Sequence, residues 1–173
     1  MLTTKIIQPL GTTFLDYPDN ESLAVIVYFL GCEHMCEGCH NPAFKVRDNK
    51  VAIEISIKDL YDSLYIYAQE NRTTKVVFSG GDPLHPLNRE FMKLFISKYR
   101  NIFDFCVYTG YPIEEVKLMD IKYFKFIKVG GYDITKAQLS DQSDNFMRLA
   151  STNQEIYNEN FSLLTRNGVL NFK

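Results

Sequence analysis

Three of the four cysteines in this 173-residue chain fall in the stretch GCEHMCEGCHNP at residues 31–42. Cys32, Cys36 and Cys39 have the spacing C-x3-C-x2-C, which lets one loop bring three thiolates to a single metal centre. Soft thiolates select zinc, copper(I) or iron–sulfur clusters. A cubane cluster contains four irons, so three cysteine ligands would leave one iron open to a substrate.

A structural zinc site is the alternative interpretation of the same loop. Cys3His is a common closed ligand set, and His34 or His40 could supply the fourth ligand. The loop by itself leaves both interpretations open. The remaining cysteine, Cys106, lies in the apolar run FDFCVYTG, and free cysteine is among the most buried residue types, so we predict that it belongs to the core.

Strand and helix patterns alternate along the rest of the chain. Apolar runs predict strands at residues 23–30, 75–83, 103–110 and 123–131, and helical periodicity predicts helices at 56–71, 89–99 and 112–119. Such alternation favours parallel strands, whose carboxyl ends collect the ligand sites. Because a complete eightfold barrel needs roughly 200–250 residues, we predict one α/β domain over residues 1–173: a partial, open barrel of about five or six parallel strands.

The cysteine loop and a glycine-containing loop, SGGDPLHP at residues 79–86, each follow a predicted strand. The adjacent Gly80 and Gly81 would let the backbone approach a ligand closely, and Asp82 adds a carboxylate. A glycine pair after a strand is by itself most often a turn. Its position beside the cysteine loop makes it a candidate part of the same site.

Taken together, these motifs resemble the radical S-adenosylmethionine (SAM) superfamily. The similarity narrows to the family of anaerobic ribonucleoside-triphosphate reductase activating proteins, through CxGCHNP at 36–42, FSGGDPLHPLN at 78–88, VYTGY at 107–111, KVGGYD at 128–133 and STNQEIY at 151–157. Ala150 and Glu155 depart from that pattern, since the family has Gly and a basic or apolar residue there.

The resemblance implies a set of cofactors and site residues. It implies a 4Fe-4S cluster held by Cys32, Cys36 and Cys39, with SAM bound at the open iron. SAM contacts are implied for Gly38, His40, Asn41, Gly80, Gly81 and Asp82, with Asp82 standing where many superfamily members have Glu. No catalytic side chain is implied beyond the cluster and SAM, and the sequence contains no obvious Ser/His/Asp set or paired-carboxylate motif.

By resemblance, the chain would activate an anaerobic (class III) ribonucleotide reductase. Reductive cleavage of SAM would generate a 5′-deoxyadenosyl radical that abstracts hydrogen from a glycine of the reductase, leaving a glycyl radical. A one-electron donor such as flavodoxin would be required. The alternatives are an activase of another glycyl-radical enzyme, such as a formate-lyase type, a small radical-SAM enzyme acting on a metabolite, and a zinc-stabilised interaction module.

Composition restricts the partners. A formal charge of −2 and a pI near 5.9 disfavour nucleic-acid or anionic-membrane partners. The amino-terminal sequence lacks a signal-peptide pattern, and the longest apolar run is too short to cross a bilayer, so we expect a cytoplasmic protein. Lys122, Lys125 and Lys128 alternate with aromatic residues and predict a solvated face or part of a partner surface.

Overall fold

An eight-stranded mixed sheet is the centre of this computed structural model, which describes residues 2–19, 23–138 and 146–171. The elements are β1 (Thr3–Ile7), β2 (Gly11–Thr13), β3 (Ala24–Phe29), β4 (Ala52–Ser56), α1 (Ile57–Glu70), β5 (Lys75–Gly80), α2 (Pro86–Tyr99), β6 (Asp104–Tyr108), α3 (Ile113–Leu118), β7 (Phe124–Val129), β8 (Phe146–Arg148), β9 (Glu155–Asn158), β10 (Thr165–Arg166) and β11 (Val169–Asn171). Each predicted strand and helix is present.

The sheet has the order β4-β1-β3-β5-β6-β7-β9, and β2 pairs additionally with β3. The strands β3, β5, β6 and β7 are mutually parallel, whereas β1, β2, β4 and β9 all pair antiparallel. Among the described residues, the sheet therefore contains four mutually parallel strands, whereas we predicted five or six. Antiparallel strands occupy both edges, and β8, β10 and β11 form a separate small sheet.

Helix α1 begins where its sequence predicts. The Ser56 hydroxyl accepts a hydrogen bond from the backbone N–H of Asp59 at 3.2 Å and donates one to the Asp59 carboxylate at 2.6 Å. This capping satisfies a backbone donor that a helix amino terminus leaves unpaired. Leu60, Leu64 and Ala68 are all buried at helical spacing, which holds α1 against the sheet.

The two faces of the parallel strands have different roles. Phe78 on β5 and Phe105 on β6 stack at 5.3 Å between ring centroids and belong to the main core cluster, which also takes in the buried faces of α1 and α2. Their neighbours Val77 and Cys106 point to the opposite face, in a smaller buried cluster. The alternation follows from the two-residue period of a strand. It leaves the second face free to line a cavity.

The prediction for Cys106 is confirmed, because its side chain is fully buried in that smaller cluster. Burial also raises the pKa of its thiol well above the ordinary value. Among the described residues, no helix has the length and apolar character needed to cross a membrane.

Candidate metal centre and cofactor cavity

The cysteine loop leaves the carboxyl end of β3 and closes on itself. The backbone N–H of Gly31 donates to the carbonyl of Phe44 at 2.9 Å, and that of Cys32 donates to the carbonyl of Lys45 at 3.2 Å. A short 3-10 turn at Pro42–Phe44 completes the closure. The three cysteines thus lie on a loop whose two ends are fastened together.

Cys32, Cys36 and Cys39 are free, half-buried thiols that line one cavity of about 470 Å³. Burial raises the pKa of the Cys32 thiol to about 11, so binding a metal there must also drive the loss of a proton. Within the described parts of the chain, no three His, Cys, Asp or Glu side chains are gathered closely enough to hold one metal ion.

The cavity lies at the carboxyl ends of the parallel strands, where the alternating pattern predicts ligand sites. Its wall combines the cysteine loop with residues from the ends of β5, β6 and β7. His40, Asn41, Gly80 and Gly81 line it together with the cysteines, whereas Gly38 and Asp82 are outside its lining. The His40 ring lies 4.7 Å from that of Tyr132.

Gly80 and Gly81 hold the end of β5 directly against the cysteine loop. Gly80 has φ +115°, and a Cβ there would lie 2.4 Å from the carbonyl oxygen of Phe29. A Cβ on Gly81 would lie 2.4 Å from the carbonyl oxygen of Phe44 and 2.6 Å from that of Gly31. This pair therefore packs closely against the backbone of the cysteine loop. Both glycines also line the cavity, and their approach to a ligand stays a prediction.

Asp82 connects three segments of the site through a carboxylate that is only 1% exposed. It accepts hydrogen bonds from the backbone N–H groups of Leu84 at 2.8 Å and Gly110 at 2.9 Å, and from the Thr109 hydroxyl at 2.9 Å. The His34 Nε2 atom lies 2.9 Å from the same carboxylate. The side chain of Asp82 thus joins the loop after β5, the end of β6 and the cysteine loop.

The contact with Asp82 fixes the position of His34, which the sequence offered as one candidate for the fourth ligand of a zinc site. Its ring packs edge-on against Tyr111 at 4.5 Å between centroids. A Cβ on Gly110 would lie only 2.3 Å from the His34 ring, so this position requires glycine. One ring nitrogen is engaged by Asp82, and the imidazole acts here as a support for the cysteine loop.

Asn88, at the end of the 78–88 motif, is a second buried support that the sequence analysis did not single out. Its amide donates to the carbonyls of Leu30 and Asp82 at 3.1 and 3.0 Å, and its oxygen accepts from Thr4 and Arg47. An asparagine inside a helical pattern carries no signal of this role. It fastens the first residues after β3 and β5 to helix α2.

The STNQ segment holds the loop that follows β7. Gln154 is 3% exposed and donates to the carbonyl of Gly130 at 3.1 Å, while Asn153 donates to that of Gly131 at 3.0 Å. A Cβ on Gly131 would lie 3.0 Å from the sulfur of Cys36. The segment therefore positions the backbone against which Cys36 packs, and Gln154 itself lines the cavity.

Lys128 corrects the prediction of a solvated or partner-facing lysine stripe. Lys125 is exposed and pairs with Glu159 at 2.8 Å, but Lys128 is only 9% exposed and lines the cavity. Its Nζ donates to the carbonyl of Gly130 at 3.2 Å and lies 5.6 Å from the centre of the Tyr108 ring. Burial lowers the pKa of Lys128 to about 8, against the opposing effect of nearby acidic groups, with Asp82 the largest.

The chain is similar to known proteins in its family pattern and in its sequence. The model of the 4Fe-4S single cluster domain family matches residues 21–157. The anaerobic ribonucleoside-triphosphate reductase-activating protein of Enterobacteria phage T4 is 29% identical over 123 residues, covering 68% of this chain and 76% of the relative. The protein of the same name from Haemophilus influenzae is 29% identical over 122 residues, covering 66% and 75%.

A crystal structure of QueE from Escherichia coli aligns with 62% of this chain and 53% of its own, at 20% identity and a TM-score of 0.44. The family match includes the cysteine loop, the glycine pair and all four parallel strands. On that match, this chain belongs to the 4Fe-4S single cluster domain family.

Proposed function

We propose that this chain is a single-domain radical SAM enzyme, located in the cytoplasm, that activates an anaerobic ribonucleotide reductase by forming a glycyl radical on it. One observation carries the proposal: in a chain of the 4Fe-4S family, three cysteines and a glycine pair line one cavity at the carboxyl ends of parallel strands. Relatives named as activating proteins of this reductase support the choice of partner.

The cysteine loop fits a cluster by the chemistry of its donors. Cys32, Cys36 and Cys39 are free thiols on one closed loop, and thiolates are the ligands that iron–sulfur clusters use. Gly131, beside Cys36, carries no side chain to obstruct the space next to that sulfur. We propose these three cysteines as the cluster ligands, with one iron left for SAM.

The remaining cavity residues would bind and orient SAM. When bound, a reduced 4Fe-4S cluster supplies the electron for cleavage of SAM to methionine and the 5′-deoxyadenosyl radical that takes hydrogen from the partner's glycine. Gly80, Gly81, His40 and Asn41 line the cavity and would contact SAM directly. Gly38 and Asp82 would act by shaping the loops, because neither lines the cavity.

The chain's contribution beyond binding is orientation and exclusion of water. Holding a reactant in one geometry replaces a chance encounter and can supply a large part of a barrier. The loops that carry the cysteines, Gly80 and Thr109 are joined through buried Asp82 and Asn88, which keeps the cavity wall in one arrangement. Leu15 and Met147 line the cavity as well.

The test begins with anaerobic purification, iron and sulfide reconstitution, reduction, and addition of SAM. We expect bound iron and sulfide, formation of 5′-deoxyadenosine, and a glycyl-radical EPR signal when an anaerobic ribonucleotide reductase is added. Flavodoxin would then be tested as electron donor in place of the chemical reductant. Cys36→Ala should abolish all three results. Cys106→Ala is the matched control, because Cys106 is buried outside the cavity lining and should leave cluster binding intact.

The alternative functions predict other outcomes in this experiment. Stoichiometric zinc without iron or SAM cleavage would identify a zinc-stabilised module and refute the proposal. SAM cleavage without a glycyl radical on the reductase would retain the radical chemistry but indicate another glycyl-radical partner or a small-molecule substrate.

A further inference from the structure

Lys128 is a buried cation in the cavity wall that the proposed reaction does not use. It is 9% exposed and extends from the inner face of β7, between the Tyr108 ring and the carbonyl of Gly130. Burying an ammonium group is unfavourable unless an opposite charge or dipole compensates. A buried ammonium in the cavity wall favours negative charge in the cavity, where Asp16 also lines the wall.

Two neighbouring contacts set an upper limit on the distance from this ammonium to the cysteine loop. The Nζ atom lies 3.2 Å from the Gly130 carbonyl oxygen, and a Cβ on the next residue, Gly131, would lie 3.0 Å from the Cys36 sulfur. Standard covalent geometry across that one peptide unit places Nζ within about 11 Å of the sulfur. Both groups line the same cavity.

We infer that the Lys128 ammonium raises the reduction potential of the cluster held at Cys32, Cys36 and Cys39. The inference rests on the cysteine ligation in the proposed function. One-electron reduction adds a unit of negative charge to a site that already carries thiolates, and a nearby fixed positive charge stabilises the reduced form. The electron comes from the donor that the proposed function already requires.

Burial distinguishes Lys128 from the other two cationic side chains that line the cavity, Lys45 and Arg148, both of which are only partly buried. Lys45 also lines the cavity, and its Nζ lies 3.5 Å from the carbonyl oxygen of Cys36, but its side chain is only partly buried. Solvent screens exposed charges more than buried ones. The buried carboxylate of Asp82 opposes the effect of Lys128, but it is shared with His34, Thr109 and Gly110.

The size of the effect follows from the distance. A unit charge about 11 Å away, at an effective dielectric constant of about 20, changes a one-electron equilibrium about tenfold. At a fixed solution potential, neutralising Lys128 should therefore lower the ratio of reduced to oxidised cluster about tenfold. For a one-electron couple, this corresponds to a shift of about 59 mV to more negative potential.

The test is a mediated redox titration of the reconstituted full chain, with the EPR signal of the reduced cluster as readout and neither SAM nor reductase present. Lys128→Met should show the tenfold change, and Lys128→Arg, which keeps the charge, should not. Lys125→Met is the matched control, since it removes one charge from the exposed face of the same strand. It should leave the potential unchanged.

A loaded Lys128→Met protein with unchanged potential would overturn the inference. If that variant binds no iron, Lys128→Gln is titrated in its place under the same criterion. Iron loss in both neutral variants with full loading in Lys128→Arg would also overturn it, because the lysine would then act in cluster assembly. Absence of a cluster in the unaltered chain would instead refute the proposed function.

Discussion

Asp82→Asn should destabilise the protein strongly, although asparagine has nearly the same shape. Each carboxylate oxygen of Asp82 accepts a hydrogen bond from a backbone N–H, one from Leu84 and the other from Gly110. Either orientation of an asparagine amide would therefore place its NH2 group against a buried N–H donor. One unsatisfied buried donor costs about 1–3 kcal/mol, and the remaining bonds lose their charge assistance. We expect a total loss of about 3–5 kcal/mol.

Urea unfolding of the cluster-free protein, followed by circular dichroism, measures this loss. With a slope of about 2 kcal/mol per molar urea, the midpoint should fall by about 1.5–2.5 M. Asp62→Asn is the control, because Asp62 pairs with Lys58 on the exposed face of α1 and should leave the midpoint unchanged. A fall of less than about 0.5 M for Asp82→Asn, or equal falls in both variants, would refute the assignment of Asp82 as a buried connector.

Three further predictions follow from the cavity wall. Gly81→Ala should unfold at a lower urea concentration and bind less iron than Gly11→Ala. A Cβ on Gly81 would lie 2.4 and 2.6 Å from backbone carbonyl oxygens, whereas a Cβ on Gly11 would meet only a side-chain methyl. Equal effects of the two substitutions would contradict this prediction. Gln154→Ala should cost about 1–2 kcal/mol and reduce iron retention, since the Gly130 loop loses a partly buried hydrogen bond; unchanged retention would show that the loop does not need this bond. Lys128→Met should stabilise the cluster-free protein at pH 7 by about 3 kcal/mol, because burial lowers the pKa of Lys128 to about 8 while the unfolded chain keeps its proton up to about 10.5. Between about pH 8 and 10.5 the unaltered protein becomes more stable as the pH rises, because Lys128 loses its proton in the folded state first. In urea unfolding, the extra stability of Lys128→Met should therefore disappear near pH 10.5. Extra stability that does not depend on pH would contradict the cost of burying the charge.

Local sequence patterns were sufficient for the four parallel strands, the three helices and the edge of the sheet at which the cavity lies, but they did not predict β1, β2, β4 or β8–β11. The apolar runs predicted all four parallel strands, and helical periodicity predicted α1, α2 and α3. The cysteine loop and the glycine pair each follow such a strand. Since the carboxyl ends of parallel strands meet at one edge, their placement in a common cavity followed from local signals.

The number of parallel strands was not encoded in the same way. The strands β1, β4 and β9 are short and pair antiparallel at the two edges of the sheet. The two-residue alternation of a strand reports which face is buried and carries no information on the direction of its neighbour. Whether a strand is parallel or antiparallel to its neighbour depends on the path of the chain between the two strands, which is a property of the whole fold.

By itself, the sequence determined that three thiols lie on one loop, because the spacing of Cys32, Cys36 and Cys39 is a local property, and it left a zinc site and an iron–sulfur cluster both open. Only the tertiary structure decided the roles of Asp82, Gln154 and Lys128. Asp82 and Gln154 each bind a partner more than twenty residues away in the sequence, and Lys128 lies on a buried face that the alternating lysines did not reveal. From the sequence, a charged side chain is expected to be solvent-exposed, because only the surrounding strands can show that it is buried. Burial is the property that gives these three residues their function.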